Sequence, residues 1–478
     1  MAIKRLSRKQ FLMLAGSGVT AAALAACAQP TPAPAPAAPA KAEPTKAPAA
    51  AEPTKAPAAA PAAKAPITVD FLAWGDNTDI PAWEKLSKLY MERNPNVTIK
   101  VTSIADPGNN FYPKLQTMIA GGTPPHLSSF QGWEWQTYAD KGLLVPVDDW
   151  ISRDKLTGPY SEGIAGLDVS TRRKGKRYLI PLQMATMVMF YAKKPFQEAG
   201  IPFPTDDWTF EQFLDIAKKL TKTDGPNKMF GLQANGNWFR DIGWIVGTGK
   251  REFDNIVDPK KAQFNQPEIV EIVQLVANDV YNTLKIAPTP ADQSGGANTI
   301  QTGNCAMKYE GAWFFTQLNS PQLREQKKEV EFDVVLMPKY KDPNRPHRGW
   351  SEGLAVPKSK PDTQEAAWAF AAFMAGEEGD KIYSETTGRI PNDPKLVESF
   401  WIPRIKELYG VSNGKAFLEA FKRGQIDVVS AVPRSKMWSE VVKPVGWDPM
   451  IAGKAKASEV LPKVDEALQK LLDEANKG

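Results

Sequence analysis

Histidine and cysteine are scarce in this chain, two of each in 478 residues. The histidines, His126 and His347, stand far apart with no clustered metal-ligand spacing around them, so no metal centre is expected. No nucleophile elbow and no phosphate-binding glycine loop occurs. These absences leave no cofactor and no catalytic residue to name. A surplus of one charge is also missing. The formal net charge is +5, and Lys4, Arg5, Arg8 and Lys9 supply four of the positive groups near the N-terminus. The remainder is near neutral and gives no electrostatic case for nucleic acid. Arg172, Arg173, Lys174, Lys176 and Arg177 do cluster, but Gly175 among them marks a solvated turn before a strand.

No apolar run reaches the roughly 20 residues that a bilayer-spanning helix needs. The run that exists, 11–26, follows the basic N-terminal residues and ends in Leu24-Ala25-Ala26-Cys27. Basic start, short apolar stretch and small residues before a cleavage point are the marks of an export signal. Leu-Ala-Ala-Cys resembles a bacterial lipobox, which makes 1–27 a lipoprotein signal with Cys27 as the lipid attachment point. Residues 7–12 also resemble a twin-arginine signal with Lys9 in place of the second arginine, so the Sec and Tat routes both stay open. Once Cys27 is lipidated Cys305 has no partner, and no intramolecular disulfide forms in the mature chain. Residues 28–66 are almost entirely Ala and Pro, with Ala-Glu-Pro-Thr-Lys-Ala-Pro-Ala-Ala repeated at 42–50 and 51–59. Such a composition buries no core. At about 3.1 Å per residue of polyproline II chain it would act as a tether of up to roughly 100 Å.

From residue 67 onward strand and helix patterns alternate, which predicts an α/β fold, and the length suits two lobes. Strands are expected at 67–74, 97–104, 126–130, 177–182, 187–194, 332–337 and 353–356. Gly303-Asn304-Cys305-Ala306-Met307 reads as a further, buried strand with an inert thiol. Helices are expected at 81–93, 110–120, 267–284, 363–375 and 458–476. Another opens at Thr209, where Gln212 completes a capping box.

The order of these motifs resembles that of family 1 extracellular solute-binding proteins. The resemblance rests on 67–74 with Arg93-Asn94-Pro95-Asn96-Val97, on Gly121-Gly122-Thr123-Pro124-Pro125 and on Ala139-Asp140-Lys141-Gly142-Leu143-Leu144. It continues through Tyr178–Leu182, Met189-Phe190-Tyr191-Ala192-Lys193, Glu310-Gly311-Ala312-Trp313, Thr387-Gly388-Arg389-Ile390-Pro391-Asn392 and Asp448-Pro449. It implies a two-lobe, periplasmic-binding-protein-like fold of type II, distantly similar to maltose-binding protein, with a ligand cleft and hinge crossings. Lobe 1 would comprise 67–183 and 354–403, and lobe 2 would comprise 184–353 and 404–478. The crossings would fall near 182–187, near 350–354 and around 401–408. The implied role is capture of a carbohydrate and delivery to an ABC permease with its ATPase. The protein would act as an exported monomer anchored by lipid to the outer face of the cell membrane, within a periplasm if a second membrane exists.

A sugar site needs flat aromatic faces for C–H surfaces and polar partners for hydroxyls, since each unpaired buried hydroxyl costs roughly 1–3 kcal/mol. Clefts of open α/β sheets lie beyond strand C-termini. That rule selects Trp74, Asp76 and Asn77 after the first strand, and Gln131, Trp133 and Glu134 after the third. It also selects Glu310 and Trp313, and Trp350 and Glu352 at a crossing. Trp438, Trp238, Trp244, Thr186 and Arg389 complete the candidates, the resemblance placing Trp313 and Trp438 at cleft positions. Trp83, Trp150, Trp208, Trp368 and Trp401 read as structural. Because these candidates are mostly aromatic, acidic or amide-bearing, a neutral carbohydrate is favoured over a phosphorylated polyol or a peptide. A glycoside hydrolase using a pair among Asp76, Glu134, Glu310 and Glu352 is the competing reading from another class. A surface-display protein is a third.

Overall fold

A computed structural model describes residues 65–75, 78–104, 110–157, 169–225 and 227–475. Cys27, residues 28–64 of the expected tether, and Asp76 and Asn77 lie outside the described residues. The strands are β1 (Ile67–Trp74), β2 (Val97–Ile104), β3 (Leu127–Phe130), β4 (Arg172–Arg173), β5 (Lys176–Arg177), β6 (Ile180–Ala192), β7 (Phe230–Leu232), β8 (Cys305–Gly311), β9 (Phe332–Val335), β10 (His347–Ala355) and β11 (Gly424–Gln425). Hydrogen bonding orders the main sheet β2-β1-β3-β10-β6-β8-β7, with β9 on β6 and β11 on β10.

One long strand ties the sheet together. Ile180–Thr186 of β6 pair antiparallel with β10, and Met187–Ala192 pair with β8 and β9. The sequence predicts two strands here, broken at 183–186, whereas the structure has one continuous strand of 13 residues. The physical reason is satisfaction by the neighbour. Gln183 donates its side-chain amide to Glu352, and Thr186 donates its hydroxyl to the Arg348 carbonyl at 2.7 Å. These polar side chains therefore sit inside a ladder without penalty. The strand at 353–356 likewise extends back to His347, for the same mutual pairing.

Period-2 alternation divides β6 between two cores. Met187, Met189 and Tyr191 enter a cluster with the helices Phe210–Leu220, Trp238–Val246 and Ala457–Ala475, while Val188, Phe190 and Ala192 pack with Phe315, Trp401 and Phe417. On the other half of the sheet, Val69, Phe71 and Ala73 of β1 face helices Asp79–Arg93 and Pro361–Ala375. Leu72 and Trp74 face Phe111, Tyr112 and Trp135. The result is two α/β lobes that share β6 and β10. The third expected crossing, 401–408, falls largely in helix Ile402–Tyr409, which packs its Ile405 and Tyr409 beside Phe315.

Local expectations are met where a cap or turn fixes them. Thr209 and Gln212 exchange capping-box hydrogen bonds. The basic cluster forms the β4–β5 turn, with Lys174 and Gly175 at φ 50° and 79°, but it is solvated only at its tip: Lys174 and Lys176 are exposed, whereas Arg173 and Arg177 are buried. Helix 267–284 differs from expectation: a π-helical segment, Leu275–Asp279, interrupts it. Cys305 is buried, donates to the Asn298 carbonyl at 3.1 Å, and burial pushes its thiol up to about 12. Among the described residues no helix is long and apolar enough to cross a membrane.

Candidate functional site

The chain ends of β1 and β3 and the middle of β10 converge on one cavity of about 320 Å³. Alternation along β10 carries Arg348, Trp350 and Glu352 to the same face, and all three line it. Trp74 enters from the last residue of β1, and Gln131 and Trp133 from the turn after β3. That turn lies against β10 because residue 132 is glycine: a Cβ there would stand 2.3 Å from the Ser351 carbonyl oxygen. Trp133 and Trp350 consequently meet edge to face at 5.3 Å.

The opposite wall comes from the segments after β8 and around residues 237–240 and 434. Trp313 follows β8 and packs at 5.9 Å from Trp350. Its ring folds back over Gly311, where a Cβ would come within 2.2 Å of the indole. Trp313 Nε1 donates to Glu310 at 2.8 Å, and Arg240 also pairs with that carboxylate. Asn237, Phe239 and Arg240, at the start of helix Trp238–Val246, line the same wall. Arg434, first residue of helix Arg434–Met437, completes it.

Every arginine of the wall lies over an aromatic ring and has a carboxylate partner. Arg348 stands 3.9 Å from the Trp350 centroid, and its Nε and Nη2 bond Asp427 at 2.8 and 2.6 Å. Arg434 stands 3.6 Å over Trp133 and 4.1 Å over Phe239, and shares Asp427. Arg240 lies 5.6 Å from the Trp313 centroid. Arg389 lies 5.5 Å from the Trp74 centroid and grips Asp79 through Nε and Nη2 at 2.9 and 2.7 Å. Guanidinium-on-ring geometry of this kind fixes both partners. Burial lowers Arg348 to about 10 and, together with the Arg348 charge, holds Arg434 well below the usual arginine range.

The carboxylates are engaged by protein donors. Glu352 accepts from Trp350 Nε1 at 2.9 Å and from Gln183; burial raises its pKa, with Arg389 and the Trp350 bond opposing. Glu134 is buried behind the wall, where desolvation raises its pKa against the pull of Arg434 and Ser435. Among the described residues no group of His, Cys, Asp and Glu side chains is arranged to hold a metal ion. His347 is buried, and His126 takes the Asp70 amide on Nδ1 at 2.9 Å.

The structure thus brings together Trp74, Gln131, Trp133, Trp313, Trp350, Glu352 and Arg389 of the sequence candidates. Glu134, Glu310 and Thr186 stand one layer behind, where they hold wall residues or strands. Trp438 backs Phe239 at 5.4 Å. Trp238 and Trp244 require correction, because both are core residues. Trp238 is fully buried against Phe253 and Phe264, and Trp244 packs on Phe210 and Phe213. Helical spacing turned their faces inward. Asn237, Phe239, Arg240, Arg348 and Arg434 were missed. Arg348 shares the alternation of Trp350 and Glu352, a signal visible only once the strand is extended to residue 347.

The profile of the bacterial extracellular solute-binding protein family matches residues 74–381. A mannitol-binding protein of Pseudomonas aeruginosa is 25% identical over 327 residues, 66% of this chain and 70% of that protein. Among solved structures, an ABC substrate-binding protein from Listeria monocytogenes in complex with cycloalternan superposes with a TM-score of 0.74 at 24% identity, covering 85% of this chain and 99% of that one. UgpB from Mycobacterium tuberculosis in complex with glycerophosphocholine gives a TM-score of 0.66 at 17% identity, covering 86% and 99%. The expected α/β two-lobe architecture is the one these structures share.

Proposed function

Because this chain belongs to the bacterial extracellular solute-binding protein family, we propose that it captures a polyhydroxyl solute of the carbohydrate class in the cavity between its lobes and delivers it to an ABC permease. The observation that carries this reading is the wall itself: four indoles, Trp74, Trp133, Trp313 and Trp350, beside guanidinium, amide and carboxylate groups. Flat apolar faces next to a few convergent polar groups are what a small, hydroxyl-rich ligand requires. The mannitol, cycloalternan and glycerophosphocholine named with the relatives all contain polyol or sugar units, which supports the same class.

Binding and presentation, with no bond made or broken, is the mechanism proposed. The carboxylates argue against hydrolysis. Glu352 and Glu310 are held by indole N–H groups and by Gln183 or Arg240, which leaves neither poised to attack a glycosidic bond. Closure would be a rotation of lobe 1 (67–183, 354–403) against lobe 2 (184–353, 404–478) about β6 and β10, and the permease would read the closed form. Export with lipid attachment at Cys27, and action as a monomer, belong to the same proposal.

Calorimetric titration of the wild type, Trp313→Ala and the Trp313→Ala/Trp350→Ala double variant tests the site. Loss of the two ring faces is expected to weaken sugar binding by at least about tenfold in the double variant. Undiminished affinity there would remove the cavity from consideration.

A further inference from the structure

The cavity wall is richer in fixed cations than a neutral sugar requires. Among the described residues Arg240, Arg348, Arg389 and Arg434 all line it, against a single carboxylate, Glu352. Their counter-charges, Asp79, Asp427, Glu310 and, for Arg434, also Glu134, are buried and stand behind the arginines, outside the lining. Asp427 serves two guanidiniums, those of Arg348 and Arg434. A ligand in the cavity therefore meets the positive ends of these pairs first, and the field of the nearer charge prevails in a poorly solvated space.

Donor and acceptor balance points the same way. A neutral sugar hydroxyl both donates and accepts, so its site needs acceptors as well as donors, whereas a carboxylate or phosphate only accepts. Here each oxygen of Glu352 already accepts one hydrogen bond, from Trp350 and from Gln183, and the other side-chain acceptors of the described lining are the amide oxygens of Gln131 and Asn237, fewer than the guanidinium donors. The Nε–H of Arg434, whose side chain is 4% exposed, has no hydrogen-bond partner, and neither has the buried indole N–H of Trp74. Arg240 is the most open of the four lining arginines, its side chain 35% exposed against 4–7% for the others. It neighbours Phe239, on which Arg434 stacks at 4.1 Å.

We infer that the cavity selects an anionic polyhydroxyl solute, a sugar acid or a sugar or polyol phosphate, whose charged group accepts hydrogen bonds from Arg240 and Arg434 while its carbon skeleton lies against Trp313. The inference rests on the carbohydrate reading above and narrows it. Charge-assisted bonds from guanidinium to carboxylate or phosphate are the strong, orienting contacts in such a site.

The test is calorimetric titration of the protein with uronic acids and their oligomers, with glycerol 3-phosphate and sugar phosphates, and with the neutral counterpart of each. Low and high salt are compared, in wild type, Arg240→Gln and Arg240→Lys. One anionic arm is expected to bind at least about tenfold more tightly than its neutral counterpart, with affinity falling as salt rises. The arm that binds distinguishes carboxylate from phosphate. Arg240→Gln is expected to lose about tenfold or more of that affinity, and Arg240→Lys to recover part of it. A neutral sugar binding as tightly as every anionic probe, or Arg240→Gln leaving anion binding unchanged, overturns the inference while the carbohydrate reading survives. Binding of no probe contradicts both.

Discussion

Asp79 is fully buried, and Arg389 and the Tyr383 hydroxyl both donate to it, the hydroxyl at 2.9 Å. Removing the guanidinium strands that carboxylate in a poorly solvated place, whereas removing both partners leaves no charge behind. Arg389→Met is therefore expected to cost about 3 kcal/mol in urea unfolding, and the Asp79→Asn/Arg389→Met pair clearly less. Equal losses in the two proteins would mean that the ion pair is not what the site relies on. Strand ends predict where a cleft opens, and Trp74, Trp133, Trp313 and Trp350, proposed on that ground and from a crossing, line the cavity, as does Arg389, proposed for a charged hydrogen bond. Sequence reasoning missed Arg240 and Arg434 because each acts across the fold. Arg240 lies 70 residues from Glu310, and Arg434 meets Trp133 from the start of a short helix that no local periodicity singles out.

At the scale of elements, the β6–β10 ladder does most of the positioning. Its register shifts between Glu352 and Gly353, and Gly353 passes so close to β6 that a Cβ would lie 2.0 Å from the Ile180 carbonyl oxygen. Gly353→Ala is expected to push the strands apart at this point, costing about 2 kcal/mol by chemical denaturation and weakening ligand binding through displacement of Glu352 and Trp350. Wild-type stability and affinity in that variant would show that the ladder tolerates the displacement. Strands with apolar periodicity, such as β1 and β2, were legible from the sequence, as was the capped helix at Thr209. The middle of β6 and the first half of β10 were not. Their polar residues imitate a loop until each is seen satisfying the other across the pair.

For the whole molecule, two buried groups set opposite pH dependences. Burial pushes His347 down to about 3, so the unfolded chain takes up its proton first; this stability term is complete above the ordinary value of about 6.5 and is lost as pH falls toward 3. Burial raises Asp241 to about 7, with the Trp447 bond opposing, so its term is complete below the ordinary carboxylate value and is lost as pH rises through 7. His347→Gln is expected to flatten the acid limb of unfolding free energy against pH by a few kcal/mol, and to leave the limb above pH 7 unchanged. An unaltered acid limb would mean that His347 takes up its proton without loss of packing.

The shared cavity is expected to hold a carbohydrate-class solute and to return it intact. Thermal unfolding of the protein across sugars, sugar acids, polyol phosphates and peptides, with mass spectrometry of each mixture afterwards, reads both properties at once. A ligand at about 100 times its dissociation constant stabilises the folded state by roughly 2.7 kcal/mol. A raised midpoint is expected with a sugar or polyol compound that is recovered unchanged. A raised midpoint with peptides alone, or a sugar recovered cleaved, would contradict it.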